Sequence, residues 1–84
     1  MSKAYVCESR RRANGAWTRW RIFGYNPNLK YAQDELCILF CSLQAKEDRE
    51  GMADEWERLK ASAAEAEVGD VLECDEHQWR IMIE

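Results

Sequence analysis

Residues that break regular structure are scarce in this chain. One proline and four scattered glycines in 84 residues exclude a loop-rich scaffold and a glycine-rich phosphate cradle. Histidine occurs once, as His77, so imidazole chemistry has a single carrier. No apolar run approaches the roughly 20 residues that span a bilayer. The stretch "MSKAYVCESRRR" has no signal-peptide apolar core, which points to a cytosolic protein. In that compartment the four cysteines, Cys7, Cys37, Cys41 and Cys74, are expected to stay reduced. The pattern places all four at buried positions, where a thiol acts as a small hydrophobe.

These scarcities bear on catalysis and metals. Cys37 and Cys41 form the one close cysteine pair, inside an apolar helical run, whereas zinc favours several ligands paired on loops. No metal and no cofactor is expected. His77 sits among Asp75 and Glu76 in what reads as a solvated turn, and nothing marks Cys74 or Ser62 as its nucleophilic partner. With no catalytic motif and little room for a cleft, the chain is read as non-enzymatic.

What is present is globular: 46% hydrophobic and 11% aromatic residues, enough for a single domain over residues 1–84. The formal charge of −4 is unevenly spread. Residues 1–30 hold seven basic residues against Glu8 alone, a net +6. Residues 31–84 hold five basic against fifteen acidic, a net −10. Such a split suits a nucleic-acid or charged-protein partner, and it also suits two halves that neutralise each other on one small body.

Asn14-Gly15 between strand-like runs is a strong hairpin signal, because a type I′ turn needs positive φ at both central residues. That turn sets Ala13 opposite Ala16, Arg12 opposite Trp17, Arg10 opposite Arg19, Glu8 opposite Arg21, Cys7 opposite Ile22 and Tyr5 opposite Gly24. Alternation then gives one core-facing set, Tyr5, Cys7, Ser9, Trp20 and Ile22. The opposite set is Val6, Glu8, Arg10, Arg12, Trp17, Arg19, Arg21 and Phe23.

Asn26 or Asn28 can cap a following helix, with Pro27 in its first turn. Ala32, Leu36, Leu39, Phe40 and Leu43 lie along one helical stripe, and "LCILFC" is apolar nearly all round, which suits a sandwiched helix or a subunit interface. Gly51 breaks the pattern. A second helix places Met52, Trp56, Leu59, Ala63 and Ala66 on one face, with Asp54 four residues before Arg58, and Gly69 stops it. Two helices are preferred over one bent helix, which would overhang so small a domain. The chain closes with a second hairpin. A turn at Glu76-His77 pairs Glu73 with Arg80 and Leu72 with Ile81, although neither turn residue favours positive φ.

The expected fold is therefore α+β in the order β-β-α-α-β-β: a four-stranded, mainly antiparallel sheet with two helices packed on one face.

Two surfaces carry functional weight. Asp54, Glu55, Glu57 and Glu65, with Glu50 before them, make an acidic helical surface. Such carboxylates can imitate a phosphate backbone and occupy the basic channel of a nucleic-acid-handling protein, although Arg58 and Lys60 dilute the charge. On the basic hairpin, Trp17, Arg19, Arg21 and Phe23 alternate beside Arg10 and Arg12. Aromatics on a sheet stack bases, and arginines hold phosphates. A self-contained alternative lays Arg12 over Trp17 and pairs Glu8 with Arg21. The apolar helix or the Trp17/Phe23 face also allows a homodimer.

In general character the chain resembles the small acidic proteins encoded by bacterial viruses. The compact hairpin "ESRRRANGAWTRW", the acidic helix "GMADEWERLKASAAEAE" and the short closing hairpin make it similar in size and layout to anti-CRISPR proteins. That resemblance implies stoichiometric inhibition at the nucleic-acid-binding surface of a CRISPR effector complex, and it assigns no role to any single residue. The leading expectation is a non-enzymatic binding protein that docks through the acidic helix on a basic nucleic-acid-binding protein or complex. The alternative is a small nucleic-acid-binding module that uses the Arg/aromatic hairpin.

Overall fold

A computed structural model of the chain describes residues 3–46 and 53–84. The elements run β1 (Tyr5–Ala13), β2 (Ala16–Trp17), β3 (Arg21–Asn26), α1 (Leu29–Lys46), α2 (Ala53–Ala64), β4 (Leu72–Cys74) and β5 (His77–Ile83). The β-β-α-α-β-β order is present and every strand pairing is antiparallel. Among the described residues the sheet has five strands rather than the expected four. The returning strand of the first hairpin is cut in two at Thr18, Arg19 and Trp20, and both pieces pair with β1. On its other side β1 pairs with β5, and β4 is the far edge. The α1–α2 pair thus carries the chain from one sheet edge to the other. Gly51, expected at the helix break, Met52, expected on the apolar face of the second helix, and Glu50, expected on the acidic surface, lie outside the described residues.

The Asn14-Gly15 turn forms as its residues demand, with φ of 53° and 80°. Ala13–Ala16 and Arg12–Trp17 are opposed as expected. Beyond Trp17 the register departs from a simple hairpin. The break at residues 18–20 slips it by one, so Ser9 meets Arg21 and Glu8 meets Ile22. A bulge at Phe23 slips it again, so Cys7 meets Gly24, Val6 meets Tyr25 and Tyr5 meets Asn26. Thr18 bridges the break: its N–H donates to the Arg11 carbonyl at 2.8 Å, and its Oγ1 accepts from the Arg11 N–H at 3.1 Å. A one-residue slip moves a side chain to the other face. The expected opposition of Arg10 to Arg19, Glu8 to Arg21, Cys7 to Ile22 and Tyr5 to Gly24 is therefore corrected.

Asn28 is the helix cap, accepting from the Tyr31 N–H at 2.9 Å. Asn26 instead ties β3 to α1, its amide donating to Glu35 Oε1 at 2.9 Å. Gly24 is needed there, because a Cβ would run into the Glu35 carboxylate. Both helices pack on one face of the sheet. Ala32, Leu36 and Phe40 of α1 and Trp56, Leu59 and Ala63 of α2 meet Cys7, Leu72, Trp79 and Ile81. Phe40 is fully buried at the centre. Its ring stands edge-on to Trp79 at 4.9 Å and lies 6.5 Å from Trp56, so one side chain joins sheet and both helices. The helical stripes read from the sequence are thus the core, with Leu39 and Leu43 at its margin. The "LCILFC" segment is not sandwiched, since Ile38 is 66% exposed and Cys41 is also at the surface. Trp56 keeps its indole N–H buried with no acceptor among the described residues.

The closing hairpin turns one residue earlier than expected. Asp75 and Glu76 both take positive φ, 47° and 68°, and Leu72 opposes Trp79, Glu73 opposes Gln78 and Cys74 opposes His77. The shift in pairing is two residues, so the inward set survives while the expected Glu73–Arg80 and Leu72–Ile81 pairs do not. A left-handed conformation at Glu76 costs roughly 1–2 kcal/mol that glycine avoids. Among the described residues its backbone carbonyl is engaged, accepting from the Arg12 N–H at 2.9 Å, and its side chain makes no hydrogen bond or ion pair. Glu76→Gly is expected to raise stability by about 0.5–1 kcal/mol, or roughly 2–8 °C in Tm by thermal unfolding. An unchanged or lowered Tm would mean that the Glu76 side chain contributes to the fold.

Candidate nucleic-acid interface on the open sheet face

The sheet face turned away from the helices is built from alternate residues of β1, β5 and the broken strand. Val6, Glu8, Arg10 and Arg12 alternate along β1. Gln78, Arg80 and Met82 lie opposite Arg10, Glu8 and Val6 on β5. Ile22 and Tyr25 lie opposite Glu8 and Val6 on the other side, and Trp17 lies opposite Arg12.

Arginines and tryptophans stack alternately across this face. The Arg12 guanidinium lies 4.8 Å from the Trp17 ring centre. Arg10 lies 5.0 Å from Trp17 and 4.4 Å from Trp20, and Arg80 lies 4.0 Å from Trp20. Hydrogen bonds fix the heads: Arg10 Nε donates to Gln78 Oε1 at 2.7 Å, and Arg80 Nε donates to Glu8 Oε1 at 2.8 Å. The Glu8 and Arg80 side chains are only 13% and 25% exposed, so this pair is screened less than a surface salt bridge. Each cation–π contact contributes about 0.5–1 kcal/mol when exposed and about 2 when desolvated. The result is a row of three cations held over aromatic supports.

The residues named from the sequence divide between the two faces. Arg10, Arg12 and Trp17 belong to the row, and Arg12 does lie over Trp17. Arg21 and Phe23 do not: Arg21 opposes Ser9, on the helix side, and the bulge carries Phe23 with it. Arg19 sits exposed in the strand break. Trp20, expected in the core, is in the row instead, and Glu8 pairs with Arg80 rather than Arg21. Arg80 was missed as a site residue because its place depends on the pairing of β1 with β5, the two ends of the chain.

On the acidic surface, Asp54, Glu57 and Glu65 are exposed and Glu55 is half-buried. The helix answers part of its own charge. Glu55 meets Arg58 at 2.7 Å and Glu57 meets Lys60 at 2.8 Å, both at i, i+3; Arg58 thus pairs with Glu55 where Asp54 was expected. Hydrogen bonding and charge from Arg58 hold the Glu55 carboxyl below its usual range. Three carboxylates against two bases leave α2 itself with a net −1.

The cysteines also separate. Cys7 and Cys74 are buried, Cys37 is half-buried and Cys41 is exposed, against the expectation that all four are inside. Among the described residues no group of three or more His, Cys, Asp or Glu side chains is placed to hold a metal ion. His77 opens β5, exposed, with its ring stacked 5.9 Å from Trp79. No described helix is long and apolar enough to cross a membrane. No protein-family model matches the chain, and no curated protein or solved structure matches it.

Burial pushes the Cys7 thiol up from 9.0 to about 12, with the neighbouring Glu35 carboxylate adding to the shift. A raised folded-state pKa favours the protonated thiol. Its stabilising contribution is therefore complete below pH 9.0 and is lost as pH rises towards about 12. A maleimide at neutral pH is expected to label Cys41 readily and Cys7 only after unfolding. Mass spectrometry of the labelled peptides checks this, and early labelling of Cys7 in the folded protein would contradict its burial.

Proposed function

We propose that this protein is a non-enzymatic binding module of the cytosol whose open sheet face takes single-stranded nucleic acid. The supporting observation is the Arg12–Trp17–Arg10–Trp20–Arg80 row on the sheet face that neither helix covers. Arg12 and Arg80 each rest on one indole, and Arg10 lies between two. Bases stack on arginine planes as they do on aromatic rings, and guanidinium N–H groups donate to phosphate oxygens. Pre-set side chains lose little rotamer freedom on binding. Ile22 and Tyr25, 40% and 64% exposed beside the row, add apolar surface for further bases.

A second reading has its own support in the exposed Asp54, Glu57 and Glu65. An inhibitor of the anti-CRISPR kind would dock these carboxylates on the basic surface of a nucleic-acid-handling complex. It ranks second because Arg58 and Lys60 leave α2 nearly neutral.

Fluorescence anisotropy with labelled single-stranded DNA and RNA tests both. The first reading expects binding that weakens steeply with salt. Arg10→Ala with Arg12→Ala should lower affinity at least tenfold and reduce the salt slope by about 1.4, for two phosphate contacts removed. Charge reversal at Asp54, Glu55 and Glu57 should leave that binding intact or strengthen it. No binding even at low salt rejects the first reading, and loss of a basic protein partner on the same charge reversal then supports the second.

A further inference from the structure

The other face of the sheet outruns the helices that cover it. Cys7 of β1 is sealed under α1, but Ser9 and Arg11, two and four residues further on the same face, are not. Arg21 opposes Ser9 and so shares that side. Between this uncovered end and the two helices lies a cavity of about 570 Å³, within the range of small-molecule sites. Phe23, Leu39, Leu43, Trp56 and Trp79 form its apolar walls, and Arg11, Arg21 and His77 stand on its polar side.

Two features give the cavity a chemical preference. Three of its five apolar walls are aromatic, which favours a flat ring. Arg11 and Arg21 are both exposed, and neither makes an ion pair among the described residues. Among the described residues of the lining, Arg11 and Arg21 stand with Asp75 as the one carboxylate. A sheet face meant only to be covered would carry apolar or neutral side chains at these positions. The bulge at Phe23 turns its ring to this side, and the strand break positions Thr18 beside it.

We propose that this cavity binds a small aromatic carboxylate, its ring against Phe23, Trp56 and Trp79 and its anionic group held by Arg11 and Arg21. The site lies on the opposite side of the sheet from the Arg–Trp row. It stands or falls independently of the nucleic-acid reading, because Arg11 and Arg21 are not in that row.

The full chain would be titrated with 2-naphthoate and with uncharged 2-naphthylmethanol, followed by calorimetry and by amide NMR shifts. Saturable naphthoate binding is expected, with shifts at Phe23, Trp56 and Trp79, and the alcohol should bind at least tenfold more weakly. Arg11→Glu with Arg21→Glu, both at exposed positions, should reduce naphthoate affinity at least tenfold while amide dispersion stays native. Phe23→Ala, also at an exposed position, should weaken both probes. Absence of saturation, shifts confined to Trp17 and Trp20, or equal binding of acid and alcohol unaffected by the charge reversal would each overturn the proposal.

Discussion

The structure depends on the two-sided burial of β1. This strand pairs with β3 along one edge and β5 along the other, so it cannot slide or rotate without breaking both ladders. Its alternation therefore decides which chemistry goes where. Cys7 goes under the helices, and Glu8, Arg10 and Arg12 go to the open face. Slipping β1 by one residue would drive Glu8 and Arg10 towards Phe40 and Trp79, at the cost of burying charge in an apolar core. The same cost makes the native register distinctive, since no neighbouring register buries an equally apolar set.

Electrostatics follow from that placement. The basic first third and the acidic remainder do not simply neutralise each other across the body. Most ion pairs among the described residues are local: Lys30–Asp34 on α1, and Glu55–Arg58 and Glu57–Lys60 on α2. Exposed pairs of this kind contribute about 0–1 kcal/mol each. The Glu8–Arg80 pair is the exception, being half-buried and joining the two ends of the chain. It fixes Arg80 against Trp20, so the carboxylate nearest the arginine row positions one cation and leaves Arg10 and Arg12 to aromatic and amide partners.

Much of the fold was legible because local chemistry and tertiary packing agree. Asn14-Gly15 dictates its turn, Asn28 caps its helix, and the stripes Ala32-Leu36-Phe40 and Trp56-Leu59-Ala63 are buried as their spacing requires. The register beyond Trp17 was not legible. Nothing local marks Thr18 to Trp20 as a break or Phe23 as a bulge. Both go with tertiary contacts: the bulge sets Gly24, against which Glu35 seats, opposite Cys7, and the break carries Trp20 to Arg10 and Arg80. The turn at Asp75-Glu76 was misplaced by one residue for a related reason. Trp79 must meet Phe40 and Leu72, and that packing outweighs the backbone strain at Glu76. The candidate site inherits these errors: Arg10, Arg12 and Trp17 were legible from the turn alone, whereas Trp20 and Arg80 required the sheet.

The break and the bulge also explain why a small domain can present two dissimilar surfaces. An unbroken hairpin would place Trp17, Arg19, Arg21 and Phe23 on one face with Arg10 and Arg12 and leave Arg11 as the one arginine of the other. Two one-residue slips instead divide the set. Trp17 stays with Arg10 and Arg12 on the open face and Trp20 joins them, while Arg21 and Phe23 pass to the helix side beside Arg11. Arginine is the residue suited to both places, because its planar head stacks on rings and its five donors serve oxyanions. The arginine-rich opening of the chain therefore supplies cations to both faces of a single sheet.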